Sequence, residues 1–244
     1  MIRKLIFPFI FLAGGHLGFG QQIYGQPDAW FMLLNHYKLS ERWVVGNEWH
    51  VRRNDWLSQQ EQLLIRPFAT FNTESKVGLT AGYTYIKTSP YGEYPLPIAL
   101  PEHNVWEQIT IGQKIKNITV SHRYRMEHRF RGTFMQNAAG DYVTGDYQFA
   151  NRFRYRITTR KPLNEHFFVQ AFDEVWLNFT DRFLLSGFDR NWFYAGLGWS
   201  YLPNANVQLG YMHQWIQRGP NYEKHPTLQL VLQYDLARKQ ETIR

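Results

Sequence analysis

Along most of this chain, polar and apolar residues trade places at every second position. In the stretch SHRYRMEHRF (121–130), Arg123, Arg125, Glu127 and Arg129 alternate with His122, Tyr124, Met126, His128 and Phe130. A period of two sends successive side chains to opposite faces of a β-strand. The same pattern predicts eleven strands, near 29–38, 42–54, 60–71, 76–88, 104–115, 117–130, 147–160, 166–179, 191–201, 206–217 and 227–237. One face of each is apolar: Trp43, Val45, Trp49 and Val51 in the second, for example, and Leu228, Leu230, Leu232 and Leu236 in the last. No segment sustains a 3.6-residue period and no linker divides the chain, so one all-β domain is predicted.

Strand length separates two kinds of β protein. Strands of water-soluble domains usually hold about 5–6 residues. These hold about twice that number, and eleven residues tilted near 45° rise about 25 Å, the height of the apolar band of an outer-membrane barrel. The connections support that choice. KLSE, NTES, KN, PLNE and LPNAN are short and rich in turn formers, and they alternate with longer segments at 89–103, 131–146, 180–190 and 218–226. Short turns at one rim and long loops at the other mark a transmembrane barrel, with the short side periplasmic. The fold expected is therefore a transmembrane up-and-down antiparallel β-barrel of about ten to twelve long strands. Eleven is an awkward count, because single-chain bacterial barrels usually have an even number. Either residues 21–28 thread the lumen, or a strand is missed or merged.

A barrel gives the arginines a place. Facing lipid at mid-depth, each would cost about 2–4 kcal/mol; facing inward, it meets water and counter-charges. Alternation puts Arg52, Arg66, Arg123, Arg125, Arg129, Arg152, Arg154 and Arg156 inside, with the carboxylates Glu48, Glu127 and Glu174. These eleven residues are the candidate lumen charge network. Two outcomes stay open. The charges close into a salt-bridged plug, or the excess of arginine lines a narrow passage or binding site for a small anionic solute.

The N-terminus changes where such a barrel would sit. In MIRKLIFPFIFLAGGHLGFGQQ a basic start (Arg3, Lys4) precedes an apolar stretch from Leu5 to Ala13 and small residues at Gly18 and Gly20. This is the pattern of a cleaved secretory signal, and beyond it no apolar run is long enough for a transmembrane helix. The expected organisation is a signal peptide over 1–20, a lead segment over 21–28, the barrel over 29–237 and a polar tail over 238–244. The expected location is the outer membrane of a Gram-negative cell, with outer-membrane lipid as the surrounding partner.

The residues carry a resemblance. AWFMLLNHYKLSERWVV, EQLLIRPFATF, HRYRMEHRF, NRFRYRITTRKPL, DEVWLNF and RNWFYAGLGWSY resemble the repeated strand motifs of a bacterial outer-membrane-barrel family, domain of unknown function 2490. Arg123, Arg125, Glu127 and Arg129 fill its most specific motif. The resemblance implies an outer-membrane barrel and no particular activity. The family's Asn-Arg pair stands reversed here, as Arg190-Asn191.

Composition and the motifs present narrow the chemistry. The formal charge is +7, yet no Lys/Arg run marks a nucleic-acid patch. There is no cysteine, which excludes disulfides and thiolate metal sites. No nucleophile-elbow, zinc-protease or phosphate-loop motif occurs, and His122 and His128 are six residues apart, roughly 20 Å along a strand. No catalytic residue, metal or cofactor is assigned. A lipid-modifying enzyme and a non-conducting structural or adhesive barrel acting through its loops are the alternatives to a solute-binding or porin-like barrel. Aromatic residues near strand ends (Tyr37, Trp43, Trp56, Phe71, Phe130, Trp192, Tyr201, Trp215) are expected as interfacial girdles.

Overall fold

Eleven long strands form one closed ring. The computed structural model describes residues 23–92, 95–219 and 221–237; the expected export signal (1–20) and polar tail (238–244) lie outside them. A short strand β1 (Ile23–Gly25) is followed by β2 (Asp28–Lys38), β3 (Trp43–Asn54), β4 (Gln59–Asn72), β5 (Val77–Thr88) and β6 (Leu100–Ile115). Then come β7 (Ile118–Gln136), β8 (Tyr142–Pro162), β9 (Phe167–Phe179), β10 (Leu185–Leu202), β11 (Ala205–Arg218) and β12 (Asn221–Ala237). From β2 to β12 each strand is hydrogen-bonded to the next in sequence, antiparallel throughout.

Closure is parallel. β12 pairs with β2 from Thr227–Asp28 to Ala237–Lys38. This follows from the count: when an odd number of strands alternate in direction, the first and last point the same way. β1 extends the same seam at the same offset, with Ile23–Gly25 against Tyr222–Lys224. The Gln26 N–H still donates to the Lys224 carbonyl at 3.0 Å, and Pro27, which has no N–H, interrupts the ladder. From Ile23 onward the lead segment is therefore part of the wall and does not thread the lumen.

The two rims differ as the sequence predicts. At one rim the turns are tight and held by their own side chains. Ser40 Oγ accepts from the N–H groups of Arg42 and Trp43, Thr73 Oγ1 from that of Val77, and Asn164 Oδ1 from those of His166 and Phe167. At the other rim, much of what reads as loop is strand that continues past the barrel: β7 runs on to Gln136 and β8 starts at Tyr142. Once both faces of a hairpin are wet, alternation is no longer required, so the pattern fades while the ladder continues.

The wall is inverted relative to a soluble domain. Large apolar side chains such as Trp49, Val105, Ile109, Phe193, Leu197 and Leu209 are exposed on the outside. Arg52, Arg66, Arg125, Glu127, Arg152, Arg154 and Glu174 are buried inside. Inward glycines make room for inward rings. A Cβ at Gly82 would overlap the Trp106 indole, and one at Gly198 would overlap Phe168.

Candidate functional site

The middle of the lumen is built on the pairing of β7 with β8. Their register sets Arg123 opposite Arg156, Arg125 opposite Arg154 and Glu127 opposite Arg152. Like charges directly opposed destabilise a strand pair. Two carboxylates offset this. Glu127 accepts from Arg152 Nε (2.8 Å) and Nη2 (2.5 Å) and from Arg154 Nη1 (2.7 Å). Glu174, on β9, accepts from Arg123 Nη2 (2.5 Å) and Arg154 Nε (2.8 Å). Arg154 thus bridges both glutamates, which are 2% and 0% exposed. Buried charges persist only when paired and hydrogen-bonded, and these bonds are of the strong, charge-assisted kind.

Aromatic rings continue the network across the lumen. Arg154 and Arg152 stand 3.5 and 4.3 Å from the Trp176 ring centroid. Trp176 packs on Trp192 at 4.3 Å, Trp192 on Trp30 at 5.2 Å, and the Arg52 guanidinium caps Trp30 at 3.7 Å. On the opposite side Arg125 lies 3.9 Å over Trp106 and donates to Gln108 Oε1. Guanidinium faces suit this packing because they are flat and weakly hydrated. Trp30, Trp106, Trp176 and Trp192 are all 5% exposed or less. Arginine, glutamate and tryptophan together form a septum. Trp192 is therefore not an interfacial residue, as its place near a strand end suggests. It shares the inward face of β10 with Tyr194, where it packs between Trp30 and Trp176 with its Nε1 buried and without a hydrogen-bond partner.

Other predicted lumen residues sit above and below the septum. Arg66 donates from Nη1 to Glu48 (2.8 Å) and from Nε to the Thr84 hydroxyl (3.0 Å). His50 Nε2 lies 3.0 Å from the same Glu48 carboxylate. Arg129 forms a two-pronged pair with Glu102, at 2.7 and 2.9 Å. Arg52 donates to Gln62 Oε1 (2.6 Å). Arg156 lies over the Phe172 ring at 4.9 Å. Among the described residues, no carboxylate comes within 4.0 Å of a guanidinium nitrogen of Arg52 or Arg156.

Several inward acids escape the alternation. A bulge at Arg52/Arg53 turns Glu61 inward, where it accepts from Trp30 Nε1 at 3.0 Å. A second, between Phe188 and Arg190, brings both Asp189 and Arg190 onto the lumen side, and Asp189 pairs with Arg152 (3.3 Å) and Arg190 (3.2 Å). Bulges re-aim side chains in this way and leave no mark in a period-two pattern. Asp28 and Glu102 lie just beyond the expected strand starts. Glu102 keeps the parity of Asn104 and Trp106, so carrying the alternation two residues further finds it. Asp28 binds Asn54 Nδ2 (2.7 Å), Gln214 Nε2 (3.1 Å) and His225 Nδ1 (2.9 Å) beside the parallel seam. Among the described residues no serine hydroxyl is hydrogen-bonded to a histidine.

Cavities lie on both sides of the septum. Towards the long-hairpin rim lies a cavity of about 840 Å³, where Arg52, Arg129, Arg131 and Arg190 face Glu61, Glu102 and Glu223, beside another of about 550 Å³ that reaches Asp181 and Asp189. Towards the short-turn rim are two, of about 290 and 500 Å³. The first of these is lined by five arginines (Arg52, Arg66, Arg123, Arg154, Arg156) and one carboxylate, Glu48. The second reaches Asn72 and Lys76 at the short-turn rim. The charges missed by alternation lie mostly in the upper half and balance it, whereas the lower half stays basic.

An apolar belt, a polar lumen and short turns at one rim define a barrel of the membrane-spanning class. The chain belongs to the family described as Protein of unknown function (DUF2490), whose model matches residues 28–225. Among solved structures, the NanC porin is similar in fold, with a TM-score of 0.51 at 10% identity over 86% of this chain and 99% of that one. The beta domain of the Bordetella autotransporter Brka aligns with a TM-score of 0.46 at 13% identity, over 77% of this chain and 82% of that one. No curated protein matches the chain.

Proposed function

We propose that this is an exported outer-membrane barrel whose lumen is closed at mid-depth, and that it holds a small solute rather than passing ions freely. The signal-like N-terminus and the apolar belt support the outer membrane, with the short turns in the periplasm and the long hairpins outside. The observation that carries the closed reading is the septum: Glu127, Arg125, Arg152, Arg154, Trp176 and Trp192 meet at the centre and are each 5% exposed or less. Side chains lining an open water path would keep far more accessible surface. Every septum charge also has a bonded or stacked partner, so opening it exposes paired charges and breaks charge-assisted bonds. A small solute could be held in the chambers on either side.

Purified full-length protein in planar lipid bilayers tests this. The expected result is an absence of steady conductance steps in simple salt. Stable, ohmic steps from the unmodified protein would overturn the closed reading.

A further inference from the structure

We propose that the chamber below the septum is a binding site for a small oxyanion, a carboxylate, phosphate or sulfonate group, held chiefly by Arg156 with Arg123. This deepens the solute-holding reading and rests on it. Six residues line both lower cavities: Leu34, Glu48, Ser121, Arg123, Arg156 and Thr158. Four of them form one cross-strand patch. Arg123 stands opposite Arg156, and Ser121 opposite Thr158, on successive inward rungs of β7 and β8. Two guanidinium groups beside two hydroxyls offer an oxyanion charge, forked N–H donors and O–H donors together.

The two neighbouring carboxylates are each shared between basic side chains and leave the patch with a positive excess. Glu48 is held by Arg66 and His50. Glu174, the register partner of Arg156, gives its Oε1 to Arg123 and Arg154, while its Oε2 is buried with no hydrogen-bond partner and adds one negative charge against the three arginines. Arg156 is left without an ion pair, and its Nε and the Nε of Arg123 are buried with no hydrogen-bond partner. Arg123 itself is 9% exposed. Two opposed cations with unmet donors at a cavity wall are costly unless an anion or water joins them. The cavities continue to Asn72 and Lys76, so the chamber opens towards the short-turn rim, and Lys76 adds a positive charge at its mouth. The upper chamber, with its near-balanced charges, offers no such excess.

The test is calorimetry on the detergent-solubilised full chain, titrated in turn with inorganic phosphate, acetate and methanesulfonate, with tetramethylammonium as the cationic control. At least one oxyanion is expected to bind and the control to give no heat. Arg156→Gln should weaken that binding by about tenfold or more, the scale of one charge-assisted contact. Arg156 is the position of choice because it makes no ion pair in the fold, and an unchanged melting temperature checks that the variant is intact. A second measurement uses the absence of native cysteine. Thr158→Cys should react faster with an anionic than with a cationic methanethiosulfonate, and bound oxyanion should slow it. Binding by none of the three anions, binding indifferent to Arg156→Gln, or equal reaction with both reagents would each overturn the site. Conductance by the unmodified protein together with Arg156-dependent binding would sink the closed-lumen reading and leave the site standing.

Discussion

Arg154 and Trp176 are register partners across β8 and β9, and the guanidinium carbon of the first lies 3.5 Å from the ring centroid of the second. The same arginine bonds Glu127 and Glu174 from its edge. One face of the cation serves aromatic packing and its rim serves two carboxylates. This is how a charged residue becomes almost wholly buried in the middle of a barrel, and it makes the septum a cooperative unit rather than a set of separate pairs.

Removing one carboxylate should therefore do more than remove one pair. Glu127→Ala leaves Arg152 and Arg154 buried with unmet donors. A loss of about 3–5 kcal/mol is expected, read as a lower midpoint of urea unfolding in detergent or lipid. An unchanged midpoint would mean that water already shares these charges.

Opening the septum should take an aromatic deletion. Trp192 touches both Trp30 and Trp176. Trp192→Ala should cost about 3–5 kcal/mol and join the upper and lower cavities. Conductance steps are expected in bilayers from this variant and none from the unmodified protein. Continued silence of a folded variant would show that other side chains form the barrier.

The parallel seam has its own lock. Asp28 on β2 binds His225 on β12, Gln214 on β11 and Asn54 on β3, so one carboxylate ties four strands around the closure. Asp28→Ala leaves several buried donors unpaired and should cost at least about 2 kcal/mol. Heat-dependent unfolding in detergent gels should shift to lower temperature, and hydrogen exchange should rise first along β2 and β12. Exchange spread evenly around the ring would count against a seam-specific role.

The outer belt should reject charge. Leu209 is 54% exposed and pairs in register with Leu197 and Leu230. Leu209→Arg should destabilise the protein in lipid by about 2–4 kcal/mol if it sits near mid-depth, whereas Leu209→Phe should be close to neutral. Equal stability of both variants in vesicles would argue against lipid contact at this face.

The ring was legible in the chain's alternation alone. Eleven runs of period two, short turns rich in turn formers such as Ser40, Thr73 and Asn164, and the shared parity of the arginines of β7 and of β8 fixed which face is wet, because a slip of one residue would turn those guanidinium groups to lipid. Other features arise only when the strands close on one another, because alternation cannot carry them. An odd number of strands made the last pairing parallel, a property of the closed ring and of no single strand. Bulges at Arg52/Arg53 and Phe188/Arg190 turned Glu61 and Asp189 inward against the local period. The meeting of Arg154, Glu127, Glu174 and Trp176 depends on three strands held in one register, and sequence spacing within each strand gives no measure of distances across the lumen.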